Sequence, residues 1–153
     1  MSKHTAAVEW MRGDQDFLDG RYSRVHRVLF DGGVSLEGSP SPSVVRAPMS
    51  SETAVDPEEM LVAALSSCHM LTFLHEAQQA GFRVDHYTDL AEGELGKTAE
   101  GRWAVTRVVL RPEVSFHGDH AADAAQLAEL HDKAHHGCFI ANSVTTDVRV
   151  EAR

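Results

Sequence analysis

Two cysteines, Cys68 and Cys138, and ten histidines are the residues of this chain whose types could do redox or metal chemistry. Both cysteines fall in apolar, helix-patterned stretches. Free cysteine is among the most buried residue types, so two inert core residues are one interpretation. The other is a pair that does redox or metal chemistry, because the thiolate is both a nucleophile and a metal ligand. Cysteine number alone leaves both interpretations open.

Three histidines, His131, His135 and His136, form a candidate zinc site. His131 and His135 are four residues apart and therefore share one face of a helix. Zinc takes histidine and cysteine in tetrahedral sets, and Cys138 follows closely. The same histidines are also suited to the end of a helix, where positive charge is favourable. Because paired Cys-x-x-Cys spacing is absent, the expectation is that no metal is bound, with zinc as the alternative.

Other histidines could act on the thiols without any metal. His69 directly follows Cys68, and His69 and His135 could donate hydrogen bonds near the sulfurs and tune them. His26 could line a pocket or lie on the surface. The aromatic residues are interpreted as core or interface residues rather than substrate platforms: Trp10, Tyr22 and Trp103.

Length and charge limit the classes of protein that this chain can belong to. With 153 residues it is expected to form one domain, residues 1–153. Its net charge of −9 argues against binding to nucleic acid or to anionic membranes. No apolar run is expected to reach the roughly 20 residues that a membrane-spanning helix needs, and the N-terminal residues lack the apolar stretch of a secretion signal. A cytoplasmic location is therefore expected.

The pattern of the chain predicts strands, a buried helix, strands, a helix and a final strand, which is an α+β fold. Residues 1–55 are predicted to form strands, a loop and a hairpin that turns at Asp31–Gly33. Residues 56–81 are predicted to form a central helix that begins after Asp56 and stops at Gly81. This helix is apolar on nearly all sides, so packing against a second copy of the chain is one way to bury it.

Residues 82–153 are predicted to contain three strands and a second helix. Strands are predicted over residues 84–95, 102–117 and 143–151, with Pro112 at an edge or a bulge. The second helix is predicted over residues 121–137, where an apolar stripe runs to Cys138. The predicted architecture is therefore antiparallel sheets packed on two main helices.

Two segments resemble the OsmC/Ohr family of osmotically inducible and organic-hydroperoxide-resistance proteins. Asp56–Leu61, followed by Cys68, resembles the family motif Asn-Pro-Glu-x-Leu…Cys. Lys133–Cys138 resembles its Ala-His-x-x-Cys segment before the last strand. The order of the elements agrees as well, so the resemblance covers most of the chain.

The resemblance implies an OsmC-like fold, an intertwined homodimer and thiol-dependent reduction of organic hydroperoxides in oxidative or osmotic stress defence. By position, Cys68 would be the peroxidatic cysteine and Cys138 the resolving one. The reductant would be an external dithiol such as a lipoyl group or a lipoyl-bearing protein. The family glutamate corresponds to Glu58. The family arginine corresponds best to Arg24, with Arg21 and Arg27 as rivals.

Thiolate chemistry explains why such residues would be needed. Burial of Cys68 disfavours the thiolate, so a fixed cation must offset the burial, and Arg24 held by a bidentate pair with Glu58 would supply it. Ten residues of helix separate Glu58 from Cys68, a rise of about 15 Å. The two therefore cannot be neighbours on one helix, so either the arginine spans the gap or the glutamate comes from the other subunit. We predict that the sites lie at a dimer interface.

Departures from the family pattern weaken the assignment of substrate. Cys68 is followed by His69, where the reductases carry an apolar or aromatic residue. Cys138 is followed by Phe139–Asn142 rather than Pro-Tyr-Ser. The chain thus resembles an outlying subfamily. The alternative is a small-molecule or zinc-binding protein on the same fold without peroxidase turnover.

Overall fold

The computed structural model describes all 153 residues and is an α+β structure with eight strands, two α-helices and one 3-10 turn. The chain forms two compact units, residues 1–60 and residues 61–153. The boundary falls inside the first helix. That the whole chain acts as one domain stays a prediction.

The first unit contains one antiparallel sheet with the strand order β1-β2-β3. Its strands are β1 (Ala6–Glu9), β2 (His26–Phe30) and β3 (Ser35–Gly38). The predicted hairpin is confirmed, and Gly33 completes its turn at a φ of 84°. Val28 is the one buried hydrophobic side chain of this unit, so the single chain gives the sheet almost no core.

Helix α1 (Pro57–Gln79) confirms the predicted central helix. The Asp56 carboxylate accepts a hydrogen bond from the Glu59 backbone N–H at 2.7 Å, and the Glu59 carboxylate accepts one from the Asp56 N–H at 2.9 Å. This reciprocal capping box satisfies two backbone donors that the first turn leaves free. The helix stops before Gly81, whose φ of 85° favours glycine.

The apolar surface of α1 is mostly uncovered in the single chain. Only four of its residues are buried, and they follow one another at steps of four: Leu65, His69, Phe73 and Ala77. The expectation that no apolar segment reaches membrane-spanning length is wrong, because α1 is long and apolar enough by length and composition. Core helices of soluble proteins meet the same criterion.

The second unit builds two further sheets. Strands β4 (Val84–Asp89) and β7 (Pro112–Phe116) form an antiparallel pair. The other sheet has the order β5-β6-β8 and is built from β5 (Glu92–Lys97), β6 (Trp103–Leu110) and β8 (Asp147–Val150). The predicted antiparallel sheets are confirmed with one exception, since β6 and β8 run parallel. The long connection between them, which carries the second helix, permits this.

Each of the two long strands predicted in this region is in fact two strands. The first of them leaves the β4–β7 sheet after Asp89 and enters the β5-β6-β8 sheet at Glu92. The second changes between the same two sheets at Arg111. The Asp89 carboxylate accepts a hydrogen bond from the Arg111 backbone N–H at 2.6 Å, which fastens the two breaks to each other. Pro112 follows directly and has no N–H to continue the ladder.

Helix α2 (Ala124–Gly137) begins three residues later than predicted, because Asp123 is its N-cap and forms a capping box with Gln126. Leu130 and Ala134 of α2 pack against Phe73 and Ala77 of α1 in the main core cluster. After α2 a 3-10 turn covers Ala141–Ser143, so the last strand begins later than predicted.

Candidate active site

The two cysteines are free thiols that lie next to each other between the middle of α1 and the end of α2. Cys138 is buried and caps α2, whereas Cys68 is half-buried. Burial raises the pKa of the Cys138 thiol, and the neighbouring Cys68 side chain raises it further. The Ala141 backbone N–H donates to Cys138 Sγ at 3.4 Å and partly opposes this shift. Two adjacent thiols of unequal exposure are suited to disulfide formation.

Gly137 permits the close approach of α1 and α2 beside the thiols. A Cβ atom at this residue would lie 2.8 Å from Thr72 Cγ2. Thr72 in turn donates its hydroxyl to the Cys68 backbone carbonyl at 3.0 Å. The sequence analysis used Gly137 only as the last residue of the predicted second helix. Its position directly before a helix-capping cysteine was the available signal for a close helix contact.

His69 and His131 form a buried pair that sequence reasoning missed. His69 Nε2 and His131 Nδ1 are 3.0 Å apart, and the two rings are stacked with an interplanar angle of 9°. Phe73 stacks on His131 with ring centroids 4.5 Å apart. His69 was predicted to tune the thiols, but its one hydrogen bond is to His131. Its place four residues after Leu65 and four before Phe73 was the signal for burial.

Both histidines of the pair are held neutral. Burial lowers the pKa of His69 to about 4, with a further lowering by His131 and His135. Burial also lowers the pKa of His131 to about 4, against a smaller opposing effect of Asp89. A neutral pair shares one proton across the hydrogen bond. The outer nitrogens, His69 Nδ1 and His131 Nε2, are buried without hydrogen-bond partners.

The histidines proposed as zinc ligands do not converge. His131 is engaged by His69, and His136 Nδ1 donates to the Asp132 backbone carbonyl at 2.8 Å. His135 is half-buried and lines a cavity of about 410 Å³ together with His131 and Asp132. No group of three histidine, cysteine or carboxylate side chains in the chain is arranged to hold a metal ion. The zinc alternative therefore has no ready ligand set within one chain.

A second polar group lies beneath α1 and was not anticipated. The Ser66 hydroxyl donates to the Asp89 carboxylate at 2.5 Å. Burial raises the pKa of Tyr87, and nearby Asp89 raises it further. The Tyr87 hydroxyl is buried without a partner, and its ring packs against Phe73. These contacts fasten α1 to strand β4.

Arg24 and Glu58 line a separate cavity of about 250 Å³ in the first unit. Its other lining residues are His26, Pro40, Ser41, Val44 and Pro57. Arg24 is half-buried, whereas the rivals Arg21 and Arg27 are exposed. His26 lines this cavity, as the sequence suggested it could. Its Nδ1 donates to the Arg24 backbone carbonyl at 2.9 Å.

The predicted bidentate pair between Arg24 and Glu58 is not formed in this structure. Arg24 Nη1 is buried without a hydrogen-bond partner. The guanidinium instead lies 4.5 Å from the centroid of the Tyr22 ring. A cation stacked on an aromatic ring, with donors still free, is available to an anion or a polar oxygen that enters the cavity.

Known proteins are similar to this chain along its whole length. A family model described as OsmC-like protein matches residues 50–153. The uncharacterised protein YmaD of Bacillus subtilis (strain 168) is 26% identical over 97 residues, which are 63% of this chain and 64% of YmaD. The match thus spans less than two thirds of that curated relative.

Solved structures extend the comparison. An OsmC-like protein of unknown function from Vibrio cholerae is 51% identical, with a TM-score of 0.97 over 100% of both chains. An organic hydroperoxide resistance protein OsmC from Legionella pneumophila is 17% identical, with a TM-score of 0.74 over 99% of this chain and 97% of its own. At that identity the second likeness shows the fold alone. With the family model and the fold in agreement, this chain belongs to the OsmC/Ohr family.

Proposed function

We propose that this protein is a thiol-dependent peroxidase that reduces organic hydroperoxides in oxidative or osmotic stress defence. The observation that carries the proposal is the contact between two free thiols, one half-buried and one buried. Membership of a family that includes organic hydroperoxide resistance proteins supports it. Neither thiol is joined to a metal-binding set, which leaves redox chemistry as their best use.

The cycle assigns the attack to Cys68, because it is the more exposed thiol. The Cys68 thiolate attacks the terminal peroxide oxygen, the O–O bond breaks, and the departing alkoxide takes a proton to become the alcohol. Cys68 is then a sulfenic acid. Cys138, as a thiolate, attacks the Cys68 sulfur, the S–O bond breaks, and hydroxide leaves and becomes water on protonation. The disulfide that forms prevents overoxidation.

Arg24 and Glu58 are proposed as the other site residues. An arginine is always charged, so Arg24 is suited to stabilise a thiolate or a developing alkoxide. Its buried Nη1 without a partner supports this role, because such a donor lacks an acceptor until one enters the cavity. Glu58, in the same cavity, would orient the guanidinium once the site is complete. His69 and His135 have a weaker claim, since the His69 bond is to His131.

A homodimer is proposed as the working form. Large apolar side chains stay exposed in the single chain, among them Leu71 of α1 at 62%, Trp103 at 67% and Phe139 at 79%. A second chain that covered such side chains would remove their apolar surface from water. Because α1 carries Glu58 and Cys68 ten residues apart, a site in which the two are neighbours would draw on two chains.

The cycle also needs an external reductant and a reducing compartment. A small dithiol such as a lipoyl group, free or on a lipoyl-bearing protein, would return two electrons and two protons to the disulfide. No bound cofactor takes part in the proposed chemistry. A cytoplasmic location is proposed on the same grounds, since free thiols persist there.

The test is a count of free thiols before and after one equivalent of cumene hydroperoxide. The expected result is the loss of two thiols per chain in the wild type and of none in Cys68→Ser. In Cys138→Ser one thiol should be lost, with a sulfenic acid trapped by dimedone. Hydrogen peroxide at the same concentration is the control oxidant and should react more slowly.

Unchanged thiols in metal-free wild type would overturn the peroxidase proposal. In that case stoichiometric zinc, found by elemental analysis of the protein as purified, would favour the binding-protein alternative. A Cys68→Ser variant that still consumes hydroperoxide would remove Cys68 from the mechanism while leaving the fold assignment intact.

A further inference from the structure

Arg24 is oriented by an aromatic ring rather than by a carboxylate. Its guanidinium lies 4.5 Å from the centre of the Tyr22 ring, and Nη1 is buried with no acceptor. Arginine stacked on tyrosine gains a cation–π attraction that does not use up its N–H donors. The ring therefore fixes the plane of the guanidinium and leaves its donors free at the cavity wall.

Tyr22 is itself held by two other aromatic residues. Phe17 stacks on Tyr22 with centroids 4.5 Å apart and planes 25° apart. Trp10 meets the Tyr22 ring edge-on at 5.5 Å, and its indole N–H donates to the Ser23 carbonyl at 2.9 Å. We name these three residues, Trp10, Phe17 and Tyr22, the aromatic cluster. Its other two rings limit the positions that the Tyr22 ring can take.

The backbone on either side of the guanidinium is fixed as well. The Arg24 N–H donates to the Met49 carbonyl at 3.0 Å. The Arg24 carbonyl accepts from His26 Nδ1 at 2.9 Å. With the backbone held at both atoms, the direction of the long side chain depends chiefly on what its guanidinium packs against, which is Tyr22.

We propose that Tyr22 is a positioning residue that acts through Arg24, holding the guanidinium at the wall of the cavity with Nη1 ready to donate. The identity of the acceptor, a peroxide oxygen or the attacking thiolate, rests on the proposed function. Tyr22 touches neither in this proposal. Tyr22 restricts the Arg24 side chain in advance, so that less conformational entropy is lost when the acceptor binds.

The experiment compares Tyr22→Leu, which removes the ring, with Tyr22→Phe, which keeps it. Tyr22→Leu should lower kcat/KM for cumene hydroperoxide about three- to tenfold, the size of an exposed to partly buried cation–π contact. Tyr22→Phe should stay within about twofold of wild type. In an Arg24→Met background, Tyr22→Leu should have no further effect on kcat/KM, because the partner that it positions is gone.

Two outcomes would overturn the proposal. Tyr22→Leu could match the wild type while Arg24→Met loses activity, or Tyr22→Leu could cause the same fold loss with and without Arg24. The second result would mean that the aromatic cluster only stabilises the fold, which the thermal midpoint of each variant reports separately.

A readout independent of turnover separates this inference from the proposed function. The Arg24 Nε resonance in ¹⁵N NMR should carry a ring-current shift in wild type and Tyr22→Phe and lose it in Tyr22→Leu. If the wild type does not consume hydroperoxide but this pattern is seen, the peroxidase proposal fails and the positioning of Arg24 stands. If the shift is absent from wild type, the inference fails whatever the activity.

Discussion

The two units of this chain carry chemically different residues of the proposed mechanism, and they are built differently. Residues 61–153 contain the two thiols and a core cluster that includes Phe73, Leu130 and Ala134. In residues 1–60 the sheet around Arg24 has Val28 as its single buried hydrophobic side chain. The nucleophile thus belongs to a unit with a packed core, while the cation depends on stacking and backbone hydrogen bonds. Changes of equal size should therefore have unequal effects in the two units.

The largest expected effect is the loss of activity when the Cys68 thiol of the second unit is removed. Cys68→Ser should lower hydroperoxide consumption at least about a hundredfold, since a serine hydroxyl is not ionised at neutral pH and is a far weaker nucleophile. Arg24→Met should cost less, about ten- to a hundredfold, because it removes one stabilising charge and no reacting atom. Initial rates with cumene hydroperoxide measure both, and equal losses would contradict the difference between the two units.

Acid should destabilise the protein through the buried histidine pair of the second unit. The folded-state pKa of both His69 and His131 is about 4, against 6.5 for a free histidine, so the unfolded chain binds more protons between these values. Stability is then complete above pH 6.5 and is lost as the pH falls towards 4. One histidine contributes about 3 kcal/mol to this loss. Urea unfolding at several pH values measures it.

The control for the acid effect is exposed His136. His136→Asn should keep the full pH dependence, whereas His69→Gln should reduce it. A wild-type free energy of unfolding that is unchanged between pH 7 and pH 5 would contradict the neutral, buried pair.

The same small substitution in each unit provides a direct comparison. Gly137→Ala places a Cβ 2.8 Å from Thr72 Cγ2 in the helix contact and should cost about 1–3 kcal/mol. Thr72→Ser removes that methyl group and should restore part of the loss in the double variant. Chemical denaturation measures all three proteins, and additive losses without rescue would contradict the close helix contact.

Gly38→Ala is the matched change in the first unit and should have the smallest effect on stability. Its Cβ would overlap the His26 imidazole, which is the end of a side chain that can turn away. A cost of about 1 kcal/mol or less is expected, together with a loosened hydrogen bond to the Arg24 carbonyl. A cost as large as that of Gly137→Ala would show that the first unit is as tightly packed as the second.

Much of the fold followed from local signals in the sequence. Asp56 and Gly81 marked the ends of α1 because caps and left-handed glycines act within a few residues. The sheet change at Asp89 and Arg111 was missed, since a hydrogen bond between residues far apart in sequence creates it. The parallel pairing of β8 with β6 was missed because it too joins residues far apart in sequence.

The candidate site was predicted in outline but not in its electrostatics. Spacing and resemblance brought Cys68 and Cys138 together as a pair. They did not show that His69 would form a hydrogen bond with His131, because helical periodicity indicates which face is buried but not which residues pack against it. Nor could they show that Arg24 would stack on Tyr22 instead of pairing with Glu58, which depends on how the preceding residues fold.

The raised pKa of Cys138 has a consequence for the oxidised protein, should the two thiols join. An incoming reductant reaches the more exposed Cys68 sulfur first and must expel Cys138 as the leaving thiolate. A thiolate of high pKa leaves slowly, and a monothiol that has attacked is readily expelled by the nearby Cys138. Small monothiols would therefore reduce the disulfide poorly. A dithiol would reduce it completely, because its second thiol displaces Cys68 from the mixed disulfide and forms a ring within the reductant.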